Sequence, residues 1–197
     1  MHRDFFSFLG LSRKLTIDPA DLDERYRALS RQYHPDYFYN ASPAERRASL
    51  DRSSYLNDAY RTLRNPVSRI EYLLKLEGVA KCSAERDPST SSSPPPSLLE
   101  EVFVLNEELD DIRGERASGT PENTWKARLE RARAPIERKR TAHEAGLEEL
   151  SARWDRLIDA AASDAERRPV LAELQERFLE RNYINNLLAG IERELAS

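Results

Sequence analysis

Only one cysteine, Cys82, occurs in the chain, which excludes an internal disulfide and any zinc or iron–sulfur site built from several of its own thiolates. A reducing compartment fits this usage. Glycine and proline are also scarce, at 6 and 11 of 197 residues, and no stretch alternates apolar and polar residues as a half-buried strand would. Apolar runs stay far below the roughly 18 residues of a membrane span, and no Gly-rich phosphate loop is present. Charge is what the chain has in quantity. Asp, Glu, Lys and Arg make up 34% of it, which with so few helix breakers favours long solvated helices. Residues 1–80 hold 13 basic and 11 acidic side chains, and the remainder holds 18 and 24, for a net charge of −4. A slightly basic front and an acidic rear argue against a general nucleic-acid binder, whose affinity needs a basic face. The first residues enter a foldable pattern at once, so neither a signal nor a transit peptide is expected. The reading is a soluble cytoplasmic protein with no membrane partner.

The sharpest compositional break is Ser83 to Pro96, SAERDPSTSSSPPP, which can neither form a helix nor bury a face. It divides the chain into residues 1–80, a Ser/Thr/Pro-rich linker at 81–97, and residues 98–197. Four short helices are predicted before it. Asp4 to Leu9 makes one or two turns ending at Gly10, and Asp18-Pro19 opens a helix running to about His34. Along that helix Leu22, Tyr26, Leu29 and Tyr33 form one stripe, with Arg27 and Arg31 on the opposite side. Pro35 stops it, because proline disfavours helical geometry at His34 and cannot donate to the preceding turn. Ser42-Pro43-Ala44-Glu45 then caps a helix to about Leu63 that turns Ala48, Tyr55, Leu56, Ala59 and Leu63 inward. Asn65-Pro66 starts a fourth helix, ending near Gly78.

Three antiparallel helices are predicted after the linker. The first is capped by Ser97 with Glu100 and ends near Gly114. The second opens at Thr120-Pro121 and keeps one apolar phase on both sides of Pro135, so it is expected to continue through that residue with a kink. Ser163 with Glu166 caps the third. The fold class is therefore all-α.

One tripeptide carries chemistry. His34-Pro35-Asp36 lies between two antiparallel amphipathic helices, after a basic face, and alone it would read as a proline turn with a solvated histidine. In its setting, the run Tyr26-Arg27-Ala28-Leu29-Ser30-Arg31-Gln32-Tyr33-His34-Pro35-Asp36 resembles the J-domain of the DnaJ class. Asp4-Phe5-Phe6, Leu9-Gly10-Leu11, Leu63-Arg64-Asn65-Pro66 with Arg69, Glu71-Tyr72-Leu73-Leu74 and Asn106-Glu107-Glu108-Leu109-Asp110 narrow this. Together they resemble the HscB co-chaperones of iron–sulfur cluster biogenesis. That resemblance implies a J-domain followed by a three-helix bundle, and an adaptor that stimulates a DnaK-type (HscA-like) ATPase chaperone. It assigns chaperone contacts to His34, Pro35, Asp36, Arg27 and Arg31. The bundle would present the cluster scaffold protein (IscU-like) to that chaperone. No enzymatic activity, metal site or cofactor of the chain's own is expected.

An independent clue concerns the bundle. Leu98, Val102, Leu105, Leu109 and Ile112 make the core stripe of its first helix, whereas Leu99 and Phe103 lie one turn apart well off that stripe, beside Glu107. Tyr183 is displaced in the same way on the last helix. Exposed apolar groups rimmed by acids suit a protein-binding patch, and these four positions match those at which the family binds its scaffold. Two other readings stay open: a J-protein serving a different client, and a non-catalytic helical interaction protein. His143-Glu144 lacks the second histidine a zinc helix needs, since Leu147 stands there. The arginines of residues 124–140 read as a solvated face.

Overall fold

The computed structural model describes residues 4–79 and 98–196, all of whose regular elements are helical. Cys82, the linker and the Ser97 cap lie outside the described residues. The described residues fall into two compact units, one within Met1–Lys81 and Leu150–Leu174, the other within Cys82–Glu149 and Gln175–Ser197.

In the first unit, helix α1 (Phe5–Phe8) starts where Asp4 accepts the Ser7 N–H at 2.8 Å and Ser7 Oγ in turn faces the Asp4 backbone. Leu9 closes it, and Gly10 sits at φ +68°, where an added Cβ would stand 2.9 Å from the Arg25 guanidinium that donates to the Gly10 carbonyl. Helix α2 (Pro19–Tyr33) is capped by Asp18 and helix α3 (Pro43–Arg64) by the predicted Ser42–Glu45 box. They form the expected hairpin. Leu22 is buried, Tyr26, Leu29 and Tyr33 pack half-buried on the same cluster, and the Tyr26 and Tyr60 rings stack at 4.2 Å. Tyr60 donates to Asp23 and Tyr26 to Asn57, so polar ends of both stacked rings tie α2 to α3. Helix α4 (Pro66–Leu76) follows the Asn65 cap and ends before Gly78 at φ +68°. Its Tyr72 ring stacks on Phe5 at 4.3 Å and its hydroxyl accepts the Phe5 N–H.

Asp4 supplies a pH test of this arrangement. Burial works against its charged form, but the Ser7 N–H and the Arg13 guanidinium, 2.7 Å away, outweigh that and hold its carboxyl below the ordinary range. A carboxylate depressed in the folded state stabilises above the unfolded value near 4, and that contribution disappears as pH falls through the folded value. Asp4→Asn should therefore cost about 1 kcal/mol at pH 7 and progressively less below pH 4. Urea unfolding of both proteins at pH 7 and pH 3 checks this, and an equal gap at the two pH values would show that the charge is not what matters.

Residues 150–174 join this unit through polar contacts far apart in sequence. Asp155 is buried and accepts from Leu15 N at 2.6 Å and Thr16 N at 2.8 Å. Trp154, fully buried, donates its indole N–H to the Arg13 carbonyl at 2.7 Å. Arg69, also buried, donates to the Leu63 and Leu15 carbonyls, and desolvation lowers its pKa despite the nearby Asp155 charge. The division expected from composition, 1–80 and 98–197, runs along the linker. The packing of 150–174 runs across it, because the Leu15 and Thr16 N–H groups and the Arg13 carbonyl find their partners in Asp155 and Trp154.

In the second unit, helix α5 (Leu99–Ala117) packs with parts of α6 (Glu122–Asp159) and α7 (Asp164–Ala196). The core joins Leu98, Val102, Leu105 and Ile112 to Trp125, Leu129 and Ile136, and to Ile184, Leu188 and Ile191. Helix α5 runs past Gly114, where the sequence reading ended it. Gly119, at φ +83°, is the glycine that follows its end, while Gly114 lies within the helix. Helix α6 continues through Pro135, as its apolar phase predicted. His143 is packed inside the bundle with Nε2 on the Arg177 carbonyl at 2.8 Å, a structural role. Arg128 corrects the solvated-face reading. It bridges to Glu108 at 2.7 Å and to Glu115, tying α6 to α5, and both carboxylates raise its already high pKa.

Candidate functional site

The first candidate surface is the turn between α2 and α3. Tyr33 is the last helical residue, and His34 takes φ −63°, ψ 127°, the extended geometry a following proline requires. Residues Pro35–Phe38 form a single 3₁₀ turn after the proline stop. The His34 side chain caps that turn itself. Asp36 N–H donates to His34 Nδ1 at 3.3 Å, so Nδ1 carries no proton in this arrangement and Nε2–H is the donor left for another molecule. The same contact weakens the ion-pair reading of the 3.5 Å approach between Nδ1 and the Asp36 carboxylate, which requires the opposite protonation. Asp36 is left 86% exposed at its side chain.

The approach to this turn is fixed from beneath. Ser49, buried in α3, donates to the Tyr33 carbonyl at 2.9 Å, satisfying an acceptor that the end of α2 leaves without an intrahelical partner. Sequence reasoning placed Ala48 inward and missed Ser49. A small hydroxyl residue one position from a predicted inward alanine, opposite a proline-terminated helix, was the available signal. Arg27 and Arg31 are exposed and form no ion pair among the described residues. The turn therefore offers one imidazole N–H, one free carboxylate and two unneutralised guanidinium groups on the helix leading into it.

The second surface belongs to the other unit. Leu99 and Phe103 are 51% and 71% exposed, although both are large apolar residues, and Glu107 is exposed one turn further on. They are not core. Tyr183 differs: it is half-buried and packs against the bundle core. Val104, 60% exposed, extends the apolar face and was missed, although it too lies off the Leu98–Val102–Leu105 stripe. It also lines a groove of about 460 Å³ whose walls include Glu100 on α5 and Arg131 and Pro135 on α6. Among the described residues no cluster of His, Cys, Asp or Glu could hold a metal ion, and no helix is long and apolar enough to cross a membrane.

Residues 4–72 match the DnaJ domain family. The co-chaperone protein HscB of Proteus mirabilis is 36% identical over 128 residues, which cover 65% of this chain and 71% of that protein. The chain belongs to the HscB co-chaperone family. Two solved HscB structures agree. The chaperone HscB from Vibrio cholerae superposes with a TM-score of 0.55 at 25% identity, covering 96% of both chains. The human co-chaperone protein HscB gives 0.60 at 27%, covering 98% of this chain and 82% of that one. As an HscB-type J-protein it has a chaperone of the DnaK class as its partner, and the exposed His34-Pro35-Asp36 turn lies within the matched DnaJ domain.

Proposed function

We propose that the chain is an adaptor that stimulates ATP hydrolysis by an HscA-like chaperone through His34, Pro35 and Asp36 while its second unit binds an IscU-like cluster scaffold. The observation that carries the first half is the turn geometry: polar groups held in place by Ser49 and by the His34 cap, yet left exposed. Residues buried for stability do not look like this. Arg27 and Arg31 add an unneutralised positive face that speeds docking on an acidic surface. For the second half, Leu99 and Phe103 stand exposed with Glu107 on one face, the arrangement of apolar anchors with a polar rim. Carrying both surfaces on one chain raises the effective concentration of the scaffold at the chaperone. The reading keeps residues 1–80 as the J-domain, 81–97 as linker and 98–197 as the scaffold-binding region, in a cytoplasmic protein without catalysis of its own.

The test is a pair of assays: ATPase stimulation of the purified chaperone, and titration with the purified scaffold. In the second, Phe103→Ala should lose about 2 kcal/mol, roughly thirtyfold in affinity, with an unchanged melting temperature. Unchanged scaffold affinity in this variant would move the client surface elsewhere. The arginines give a separate check. Arg31→Glu should weaken chaperone binding several-fold at low ionic strength, and the gap should narrow as salt is added. Equal affinities for parent and variant at both salt levels would dismiss the electrostatic steering.

A further inference from the structure

The residues that follow the His34-Pro35-Asp36 tripeptide are unusual for a solvated turn. Tyr37 and Tyr39 are 74% and 79% exposed, the two most exposed large apolar residues among those described. Neither phenol makes a hydrogen bond among the described residues, and neither ring belongs to the core beneath the turn. Their backbones close the 3₁₀ turn, Tyr37 N–H on the His34 carbonyl and Tyr39 N–H on the Asp36 carbonyl, so the turn holds both rings outward without needing their side chains. The Tyr37 ring stands 6.0 Å from the His34 imidazole at 72°, an edge contact that places it beside the group assigned to the chaperone. Phe38 between them is half-buried, whereas both tyrosines are exposed.

Exposed aromatic rings with no fold role are costly to keep in water, and tyrosine combines a large apolar face with few rotors to immobilise on binding. Such residues become affinity anchors when a partner covers them. We infer that Tyr37 and Tyr39 form an apolar extension of the chaperone-docking surface, supplying affinity for the DnaK-type ATPase while His34 and Asp36 supply stimulation. The partner is fixed by continuity: a protein that engages the His34 imidazole must come within reach of the Tyr37 ring against it. The inference rests on the co-chaperone reading. Its contacts are matched apolar ones on the ATPase, with a polar acceptor for the phenol hydroxyls.

Two quantities separate the roles: the concentration of the full chain giving half-maximal stimulation of the purified DnaK-type chaperone, and the rate at saturation. Tyr39→Ala and the double variant Tyr37→Ala/Tyr39→Ala should raise the half-saturating concentration about tenfold or more with the saturated rate preserved, and with unfolding temperatures equal to the parent's. Tyr37→Phe/Tyr39→Phe should keep most of the affinity. Alanine variants that titrate like the parent would overturn the inference, as would a lowered saturated rate at unchanged half-saturation. His34→Gln, run alongside, distinguishes the two levels. If it stimulates like the parent the co-chaperone reading fails, whereas if it is inactive while the tyrosine variants are normal only the aromatic extension fails.

Discussion

His34→Gln is expected to bring stimulation of the DnaK-type ATPase to background while the melting temperature stays within about 3 °C of the parent, since the loss is at most one cap of an exposed turn. The separation of the two effects comes from where the imidazole works. Its Nδ1 accepts Asp36 N–H, a contact internal to a four-residue turn, which leaves Nε2–H as the donor of a half-exposed side chain. The imidazole is half-exposed and stands apart from the buried α2–α3 core of Leu22, Leu56, Ala59 and Leu63, and Ser49 anchors the chain one residue earlier. Glutamine can mimic the length of the side chain but not the rigid ring that caps the turn and presents a donor at the same time. Circular dichroism melting and steady-state ATPase assays measure the two effects. A variant that melts far below the parent would make His34 a structural residue, and one that stimulates normally would remove it from the docking surface.

The largest expected loss of stability lies far from that turn. Trp154→Ala should cost roughly 3–5 kcal/mol and lower the melting temperature by on the order of 10 °C. The indole is fully buried and its N–H is paired with the Arg13 carbonyl, so truncation opens a cavity and strands an acceptor. Adjacent Asp155 holds Leu15 N–H and Thr16 N–H, and Arg69 holds the Leu15 carbonyl. Weakening the site should therefore loosen the loop between α1 and α2 as well as the α6 segment. Hydrogen exchange checks the point: amides of Leu15 and Thr16 should lose protection in Trp154→Ala. Normal protection there would mean that residues 150–174 do not stabilise the J-domain.

Much of this architecture is legible in the residues, and the exceptions share a cause. Helix starts at Pro19, Pro43 and Pro66 are local chemistry, a capping side chain followed by a proline that needs no N–H partner, and each appears where it was expected. The phase of apolar residues likewise carried α6 through Pro135 and separated Leu99 and Phe103 from the stripe at Leu98 and Val102. What failed was non-local. Gly114 looked like a stop signal, but a glycine inside a packed helix costs only about 1 kcal/mol, less than the burial of Ile112 with the rest of the bundle core returns. Arg128 looked solvated because its partners, Glu108 and Glu115, are on another helix. The pairing of Asp155 with the Leu15 loop spans 140 residues and has no periodic signature at all. The functional turn was legible in position but not in geometry: His34-Pro35-Asp36 identifies it, whereas the Ser49 anchor and the outward tyrosines depend on how α3 returns beneath α2.

An adaptor requires two coupled surfaces on one chain, and one measurement tests that coupling directly. The rate of ATP hydrolysis by the purified DnaK-type chaperone is followed as the full chain is added, with and without the purified cluster scaffold. The chain alone should raise the rate, scaffold and chain together should raise it further than their separate effects combined, and Phe103→Ala should remove only this additional increment. A rate unchanged by the chain in both conditions would contradict the adaptor function.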